Sequence, residues 1–295
     1  MPHILPTDEV GLGLVDFLSL DRAGQDIFHG WCHAGLPLRA FGGQVAAQAL
    51  SAAGRTVSEG WAAHSLHGYF LRGASTVRPV VYRVERLREG GSFATRQVSA
   101  EQDGQVVFTL SASFKPAEHS YDLQPAMPAT PDPSTLPDLY ELWAAADPED
   151  FGQQRYRHAL EIRRVPDPPE PASPGMTEQK LWIRASRTLP DGPLLHAGAL
   201  AYASDLFLAP TAALALEPPR PLRGGPSKVY LTSLDHAIWF HRPFRADEWL
   251  LFAQRSPSSV DGRALAFAEV WSQDGRLIAH VVQEAVLRPL REPRH

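Results

Sequence analysis

The chain has 295 residues, enough for two domains of ordinary size with a substantial core. Its composition, 44% hydrophobic and 21% charged, is typical of a globular protein. The formal net charge is −5 and no stretch is rich in Lys and Arg, so nucleic acid is not an expected partner.

The cysteine content and the N-terminal residues both indicate the cellular compartment in which the protein is expected. The single cysteine, Cys32, can form no internal disulfide and offers no metal-site spacing, which suits a reducing cytosol. Residues 1–14 lack the basic start and the long apolar core of a signal peptide. We therefore expect a cytoplasmic protein.

One apolar segment, Ala197–Leu216, has about the length of a membrane span. Ser204 and Asp205 lie near its middle, and Pro210 follows them. An ionised Asp at the centre of a bilayer costs about 2.5–3.5 kcal/mol on insertion scales. The segment is therefore interpreted as a helix buried inside a soluble protein, without membrane insertion.

The first part of the chain predicts helices followed by antiparallel strands. Asp8–Leu20 has an acidic start and an amphipathic pattern, which predict a helix, and Asp26–His33 predicts a strand. Ala40–Arg55 predicts an Ala-rich helix so slim that a sheet can wrap tightly around it. Near-alternation of apolar and polar residues predicts strands at Ala63–Leu71, Arg78–Arg88, Ser92–Gln102 and Gln105–Lys115, the last two joined by a hairpin at Asp103-Gly104.

A proline-rich stretch separates this part from the next. Residues 117–154 are interpreted as a connection between an N-terminal domain, residues 1–116, and a C-terminal domain, residues 155–295. The later elements are predicted as a short helix at Leu139–Ala146, strands at Arg157–Val165 and Lys180–Ser186, an Ala-rich helix at Ala197–Leu208, and a strand pattern opening the segment Lys228–Phe244.

The second part of the chain repeats the first. Phe240-His241-Arg242-Pro243 echoes Phe70-Leu71-Arg72-Gly73, and Gln273-Asp274-Gly275 echoes Gln102-Asp103-Gly104, both about 170 residues apart. Ser233-Leu234 echoes Ser65-Leu66 at nearly the same spacing. The sequence therefore predicts an α+β unit duplicated in tandem.

Five motifs carry a resemblance to a known family. They are FGGQ at Phe41–Gln44, HSLHGYFLR at His64–Arg72, YASD at Tyr202–Asp205, SLDHAIWFHRPF at Ser233–Phe244 and VQE at Val282–Glu284. Together they resemble the acyl-CoA thioesterase II family, the TesB-like double hotdog thioesterases. The resemblance implies two hotdog domains, each a long Ala-rich helix wrapped by a curved antiparallel sheet, and the hydrolysis of fatty acyl-CoA to fatty acid and CoA.

The resemblance also implies the catalytic residues, which are Asp205, Ser233 and Gln283 on the positions of these motifs. In the family such a trio binds and activates a water molecule. The chemistry fits, because a carboxylate whose pKa is raised by burial can take the proton of water. A hydroxyl and an amide can both hold that water in one orientation.

Each of these residues also has a structural interpretation. Asp205 can be a hydrogen-bonded core residue, Ser233 an ordinary strand residue, and Gln283 a solvent-facing residue of the last strand. Asp235 and His236 are rival reactive groups, although an Asp-His pair often locks a strand end. Thr232, next to Ser233, leaves the register of the hydroxyl open.

Three further residues are expected to contact substrate. The amides of Gly42 and Gly43, at a helix start, are candidates for stabilising the oxyanion. Arg242, like Arg72, either braces the paired halves or lies near the phosphates of CoA. His64 and His67 are not read as metal ligands.

No G-x-S-x-G, G-x-x-x-x-G-K, G-x-G-x-x-G or H-E-x-x-H motif occurs, so neither a serine nucleophile, a cofactor nor a metal is expected. Two other functions stay open, a hotdog hydratase or dehydratase using His236 and a non-catalytic acyl-CoA-binding protein. Hotdog units pair across sheet edges, so a homo-oligomer, a dimer or tetramer, is possible. The position equivalent to Gln283 in the first half is Ala112, which predicts one active constellation per chain.

Overall fold

The computed structural model describes residues 13–33, 39–149, 159–167, 176–217 and 227–290. Within these ranges the helices are α1 Leu14–Phe17, α2 Gly42–Gly54, α3 Leu139–Ala146, α4 Pro193–Ser204 and α5 Leu208–Ala213, with a 3₁₀ turn at Pro133–Thr135. The strands are β1 Asp21–Gly24, β2 Ile27–Gly30, β3 Trp61–Phe70, β4 Val80–Glu89, β5 Ala94–Gln102, β6 Gln105–Pro116, β7 Leu160–Arg164, β8 Thr177–Ala185, β9 Val229–Ser233, β10 Asp235–Phe240, β11 Leu250–Val260, β12 Arg263–Ser272 and β13 Leu277–Pro289.

The described strands form one antiparallel sheet with a palindromic order. The order is β1-β2-β4-β5-β6-β3-β10-β13-β12-β11-β8-β7, and β9 pairs with β13. Strands β3 to β6 in the first half therefore correspond to β10 to β13 in the second, with β3 and β10 meeting at the centre. This confirms the predicted α+β fold, a tandem double hotdog in which the two halves share a continuous sheet and core.

The two Ala-rich helices pack against each other because their facing residues are small. A Cβ on Gly198 of α4 would lie 3.8 Å from the carbonyl oxygen of Ala47 in α2. A Cβ on Gly54 would overlap the side chain of Leu194, 2.3 Å away. The alanines of α2 are almost completely buried. Because their side chains are short, the helix packs close to the sheet, as its composition predicts.

The predicted hairpin at Asp103-Gly104 is confirmed. Both residues have positive φ, 54° and 74°, as a two-residue type I′ turn requires. The turn joins β5 and β6 in antiparallel register. The four strands predicted in the first half are likewise present with bounds shifted by one or two residues, and α3 has the predicted bounds.

Three predicted elements differ from the structure. The first predicted helix extends to Leu20, but α1 ends at Phe17. Asp26–His33 was predicted as one strand, but β2 begins at Ile27, because Asp26 lies in a tight turn at φ 54° that connects β1 to β2. The buried helix predicted over Ala197–Leu216 is two helices, α4 and α5. Pro210 accounts for the new helix, since a residue without an N–H is tolerated in a first helical turn and not in a helix interior.

Some predicted elements extend beyond the described residues, and the predicted domain boundaries are not tested by the fold. Residues 8–12 of the first predicted helix and residues 157–158 of a predicted strand lie outside the described residues. The domain boundaries at residues 116 and 154 stay a prediction. In the described part of the chain, no helix is long and apolar enough to cross a membrane.

Candidate active site

Asp205 lies where α4 ends. It is the C-cap residue of that helix, with φ −81° and ψ −13°, and its side chain is buried at 9% exposure. The preceding residue fixes this helix end, because Ser204 Oγ lies 2.8 Å from Nε2 of His236 on β10. The carboxylate is therefore held at the point where α4 meets the centre of the sheet.

An irregularity in strand pairing between β9 and β10 sets the position of Ser233. Ser233 pairs with Ala285 of β13, whereas Ala237 pairs with Val282, so the register shifts by one residue between them. A bulge of this kind re-aims side chains and is common beside active sites. Here it brings the hydroxyl of Ser233 to the face of β13 that carries Gln283.

The three residues predicted as catalytic lie together. Gln283 Nε2 donates to Asp205 Oδ1 at 2.5 Å and to Ser233 Oγ at 2.9 Å. Ser233 Oγ also lies 3.4 Å from Asp205 Oδ1, at the limit of a hydrogen bond. The solvent-facing interpretation of Gln283 is wrong, because the residue is completely buried.

The start of α2, in the other half of the chain, closes the cluster. The backbone N–H of Gly43 donates to the carboxylate of Asp205. A Cβ on Gly42 would lie 2.9 Å from Asp205 Oδ2, so this oxygen faces the backbone of Gly42 through space that any other residue would fill. The cluster is thus built from α2 in the first half and α4, β9 and β13 in the second.

Burial controls the charge of Asp205. Desolvation raises the pKa of this carboxyl from 3.8 to about 6, against the opposing hydrogen bonds from Gln283, Gly43 and Ser233. At neutral pH the group is ionised, yet it is a far better proton acceptor than an ordinary carboxylate. This is the property that a general base for a water molecule needs.

Gln283 presents one atom that the cluster leaves unsatisfied. Its Oε1 is buried and has no hydrogen-bond donor among the described residues. A buried carbonyl oxygen without a donor costs about 1–3 kcal/mol, and such atoms in folded proteins are usually matched by water or ligand. The amide is oriented by its bonds to Asp205 and Ser233, so this oxygen can accept a hydrogen bond from a water beside the carboxylate.

A cavity of about 360 Å³ opens onto the cluster from between the two halves. Asp205, Ser233 and Gly42 belong to its lining. Its apolar wall includes Val45, Phe70 and Phe108 of the first half, and its rim includes Arg39, Arg72 and Tyr230. A reactive group that enters between the halves therefore meets the carboxylate beside an apolar surface.

The structure separates the rival residues from this site. His236 is completely buried, is not part of the cavity lining, and burial lowers its pKa to about 4, so it is neutral at pH 7. Asp235 Oδ1 instead accepts from the backbone N–H of Glu284 at 2.7 Å, which is the strand-locking role. Thr232 lines the cavity, but the hydroxyl that contacts Asp205 and Gln283 belongs to Ser233.

Arg242 lies away from the cavity lining. Its guanidinium bonds Asp122 and Leu123 of the connection and the carbonyl oxygen of Leu277, at 2.6 Å from Nη1. These contacts hold the connection against β13, so they match neither of the two roles predicted for Arg242, a brace between the paired halves or a contact near the CoA phosphates. Within the described ranges, no three His, Cys, Asp or Glu side chains form a group that could hold a metal ion.

The equivalent place in the first half is built differently. Ala112 of β6 stands opposite Arg96 of β5, whereas Gln283 of β13 stands opposite Ala266 of β12. Arg96 is completely buried and donates to Thr56, with Nε 2.8 Å from Oγ1, and to both carboxylate oxygens of Glu89. The first half therefore carries a buried, ion-paired guanidinium beside an alanine where the second half carries an alanine beside Gln283, which supports the prediction of one active site per chain.

The sequence pattern missed two features of the site. Arg39 was not singled out, although it directly precedes the Ala-Phe-Gly-Gly stretch that starts α2, and that adjacency is a usable signal. The contact between Ser204 and His236 was missed because it joins residues on two distant elements.

The palindromic sheet, the paired slim helices and a buried carboxylate with a hydroxyl and an amide define a hotdog hydrolase. Comparison of the sequence with models of known protein families agrees with this class. A model described as acyl-CoA thioesterase N-terminal domain matches residues 29–115, and one described as acyl-CoA thioesterase C-terminal domain matches residues 131–287. The chain belongs to the acyl-CoA thioesterase family and is a thioester hydrolase.

Individual relatives cover nearly all of the chain. Acyl-coenzyme A thioesterase 8 of Homo sapiens is 36% identical over 96% of this chain and 91% of its own, and acyl-CoA thioesterase 2 of Haemophilus influenzae is 33% identical over 93% and 96%. The crystal structure of acyl-CoA thioesterase II TesB2 from Mycobacterium marinum is similar with a TM-score of 0.78 and 40% identity, covering 94% of this chain and 99% of that one. A hot dog fold protein from Alicyclobacillus acidocaldarius, 23% identical with a TM-score of 0.75 over 95% and 98% of the two chains, shares the fold.

Proposed function

We propose that the protein hydrolyses fatty acyl-CoA thioesters with a water molecule held by Asp205, Ser233 and Gln283, without a covalent intermediate. The observation that carries the proposal is the orphaned Oε1 of Gln283, buried beside a carboxylate whose pKa is about 6. A water at this place accepts from Ser233 and donates to Gln283 and to Asp205 at once. It is thereby oriented with a lone pair free for attack.

The reaction follows from these roles. The water oxygen forms a bond to the thioester carbonyl carbon while Asp205 takes one of its protons, and the carbonyl π electrons move to the oxygen. When the resulting tetrahedral intermediate collapses, the C–S bond breaks. The CoA sulfur leaves with the proton that Asp205 returns, so the carboxylate is regenerated and the products are a carboxylic acid and CoA thiol.

The start of α2 supplies the group that stabilises the oxyanion. Gly43 already donates its N–H to Asp205, which removes it from the two amides predicted for this role. Gly42 lines the cavity in the first turn of a 13-residue helix, where backbone N–H groups have no intrahelical acceptor. We assign the oxyanion to the Gly42 amide and the helix dipole behind it.

Release of free thiol tests this function directly. A thiol-reactive dye should report hydrolysis by the wild-type protein over a panel of acyl-CoA substrates of increasing chain length. Gln283→Ala should lower kcat by about 10²–10³-fold because the water loses its orienting amide. A protein that binds acyl-CoA and releases no thiol contradicts the proposal and favours a binding module.

Gln254→Ala is the matched control. Gln254 is also a buried glutamine of the second half, hydrogen-bonded to Gln179 and Thr211, and it does not belong to the lining of the active cavity. Its loss should lower thermal stability and leave kcat within about threefold of wild type. An equal loss of kcat in both variants contradicts a specific role for Gln283.

Single-turnover hydrolysis in ¹⁸O-labelled water tests the direct attack. If water attacks the thioester, the acid formed in the first turnover carries the label in one oxygen. If the carboxylate of Asp205 attacks and forms an anhydride that water opens at the Asp205 carbonyl carbon, the bridging unlabelled oxygen of Asp205 enters the product instead. Unlabelled acid in the first turnover therefore contradicts the mechanism.

We also propose a cytoplasmic location, a homo-oligomer, and domains bounded at residues 116 and 155. The buried free thiol of Cys32 supports a reducing compartment. Strands β1 and β7 end the described sheet; Asp138 bridges Arg163 of β7, and among the described residues the outer edge of β1 supports further association. Light scattering after size exclusion measures the mass of the assembly, and a mass of 32.4 kDa contradicts the oligomer.

A further inference from the structure

Two arginines lie together at the rim of the active cavity. Arg39 directly precedes the loop into α2, and Arg72 follows β3. The Cδ and Nε atoms of Arg39 lie 3.4 and 3.5 Å from the place that a Cβ on Gly73 would take. The stem of Arg39 therefore packs on the residue next to Arg72, so the two cations share one edge of the cavity.

The charge of this pair is not compensated within the part of the chain that the structure describes. There, no carboxylate makes an ion pair with Arg39 or Arg72. Arg72 Nη1 donates to the carbonyl oxygen of Val106 at 2.8 Å, which leaves most of its five N–H donors available. By contrast, Arg242 and Arg245 each contact an aspartate. In a chain of net charge −5, two uncompensated cations at a cavity mouth attract an anion.

The same rim exposes apolar surface from both halves of the chain. Tyr230 of β9 is 48% exposed and Leu71 is 50% exposed, and both line the cavity. An exposed aromatic ring offers a face on which a purine can stack, a contact worth about 1–3 kcal/mol per base in nucleic-acid complexes. The rim thus joins phosphate-binding chemistry with a stacking platform.

We propose that Arg39, Arg72 and Tyr230 form a nucleotide clasp that binds the 3′-phosphorylated ADP moiety of CoA. The guanidinium groups take the phosphates, in the forked geometry that Arg and phosphate share, and the tyrosine ring stacks on the adenine. The pantetheine arm then leads from the rim to Asp205 and Ser233. This inference rests on the proposed hydrolysis of acyl-CoA at that site.

The clasp acts on binding and on carrier specificity. The nucleotide is remote from the breaking C–S bond, so its contacts are equal in the ground state and the transition state. Such uniform binding lowers KM and leaves kcat unaltered. The clasp therefore selects CoA over a thioester of the same acyl chain that lacks the nucleotide.

The test compares acyl-CoA with the S-acyl-pantetheine of the same chain, which has the same thioester and no phosphate. In the double variant Arg39→Ala/Arg72→Ala, the preference for acyl-CoA, as a ratio of kcat/KM values, should fall about tenfold or more at low ionic strength. The loss should lie in KM. The control is Arg22→Ala, which removes an exposed arginine of edge strand β1 outside the cavity lining and should keep the wild-type ratio.

The dependence of KM on ionic strength and the substitution of Tyr230 test the clasp further. The KM of the wild type for acyl-CoA should rise with ionic strength, and this dependence should flatten in the double variant. Tyr230→Ala should raise KM for acyl-CoA several-fold, and Tyr230→Phe should restore it because the ring remains.

The outcomes separate the two proposals. If the double variant keeps the wild-type preference, or loses both substrates equally, the clasp is overturned while hydrolysis stands. If the wild type releases thiol from neither substrate, the proposed hydrolysis itself fails. A thermal melt of each variant ensures that the compared proteins are folded.

Discussion

Replacing Asp205 by Asn removes the negative charge of this side chain and almost keeps its shape. The amide oxygen of Asn can take the place of Oδ1 and still accept from Gln283, so this hydrogen bond is retained. The group can no longer take a proton from water. Loss of a general base costs about 10²–10⁴-fold in rate, and we expect kcat to fall by that amount.

The same substitution has a second, measurable consequence for stability. Burial raises the pKa of Asp205 from 3.8 to about 6 in the folded protein. The folded state therefore binds this proton more tightly than the unfolded state does. The contribution of Asp205 to stability is complete below about pH 3.8 and is lost as the pH rises through about 6, a change of about 3 kcal/mol.

The amide introduced by Asp205→Asn does not titrate, so the variant escapes this loss. Relative to wild type, its free energy of unfolding should increase by about 2 kcal/mol between pH 4.5 and pH 7.5, the part of the change that falls in this window. Urea unfolding at both pH values measures the difference. Groups that titrate identically in both proteins cancel.

Two results refute this reasoning. One is a variant that hydrolyses acyl-CoA within about threefold of the wild-type rate while staying folded. The other is a difference in unfolding free energy that stays flat between the two pH values, which would mean that burial does not perturb the carboxyl.

Four further outcomes are expected. In the wild type, kcat/KM should fall about tenfold per pH unit below pH 6, because protonated Asp205 cannot accept the proton of water; a pH–rate profile checks this. Ser233→Ala should lower kcat about tenfold or more, whereas Ser233→Thr should stay within about fivefold because a hydroxyl remains, as thiol release will show. Gly42→Ala should lower kcat, since its Cβ would lie 2.9 Å from Asp205 Oδ2, and a structure of the variant should show the carboxylate displaced. Arg96→Ala should lower the free energy of unfolding by about 2–4 kcal/mol in chemical denaturation and leave kcat near wild type, because it breaks a buried network outside the active cavity.

The parts of the fold that sequence patterns predicted are those set by local chemistry. The Asp103-Gly104 hairpin follows from two residues that tolerate positive φ, and the slim helix α2 follows from its alanines. The tandem repeat further predicted that β3 to β6 would recur. The turn at Asp26 was missed because Gln25-Asp26 is not among the dipeptides that strongly favour a two-residue hairpin turn.

The site was predictable in its members but not in its geometry. The motifs named Asp205, Ser233 and Gln283, yet only the register shift after β9 decides that Ser233 faces Gln283. The partner of Arg242 was out of reach as well, because Asp122 lies far away in the chain. Contacts of this kind depend on how distant segments meet, which residue patterns do not encode.

The donation from Gly43 of one half to Asp205 of the other has a consequence for how the two halves can change over time. In a symmetric dimer of identical subunits, each interface residue occurs twice, so losing a group from one site loses it from both. Covalent fusion of the repeats removes that constraint. The first half can carry a buried guanidinium at Arg96 where the second half has Ala266, and can supply backbone to its neighbour's site. Neither half can now be exchanged for the other, and a chain cut between them would have to reassemble before it could work.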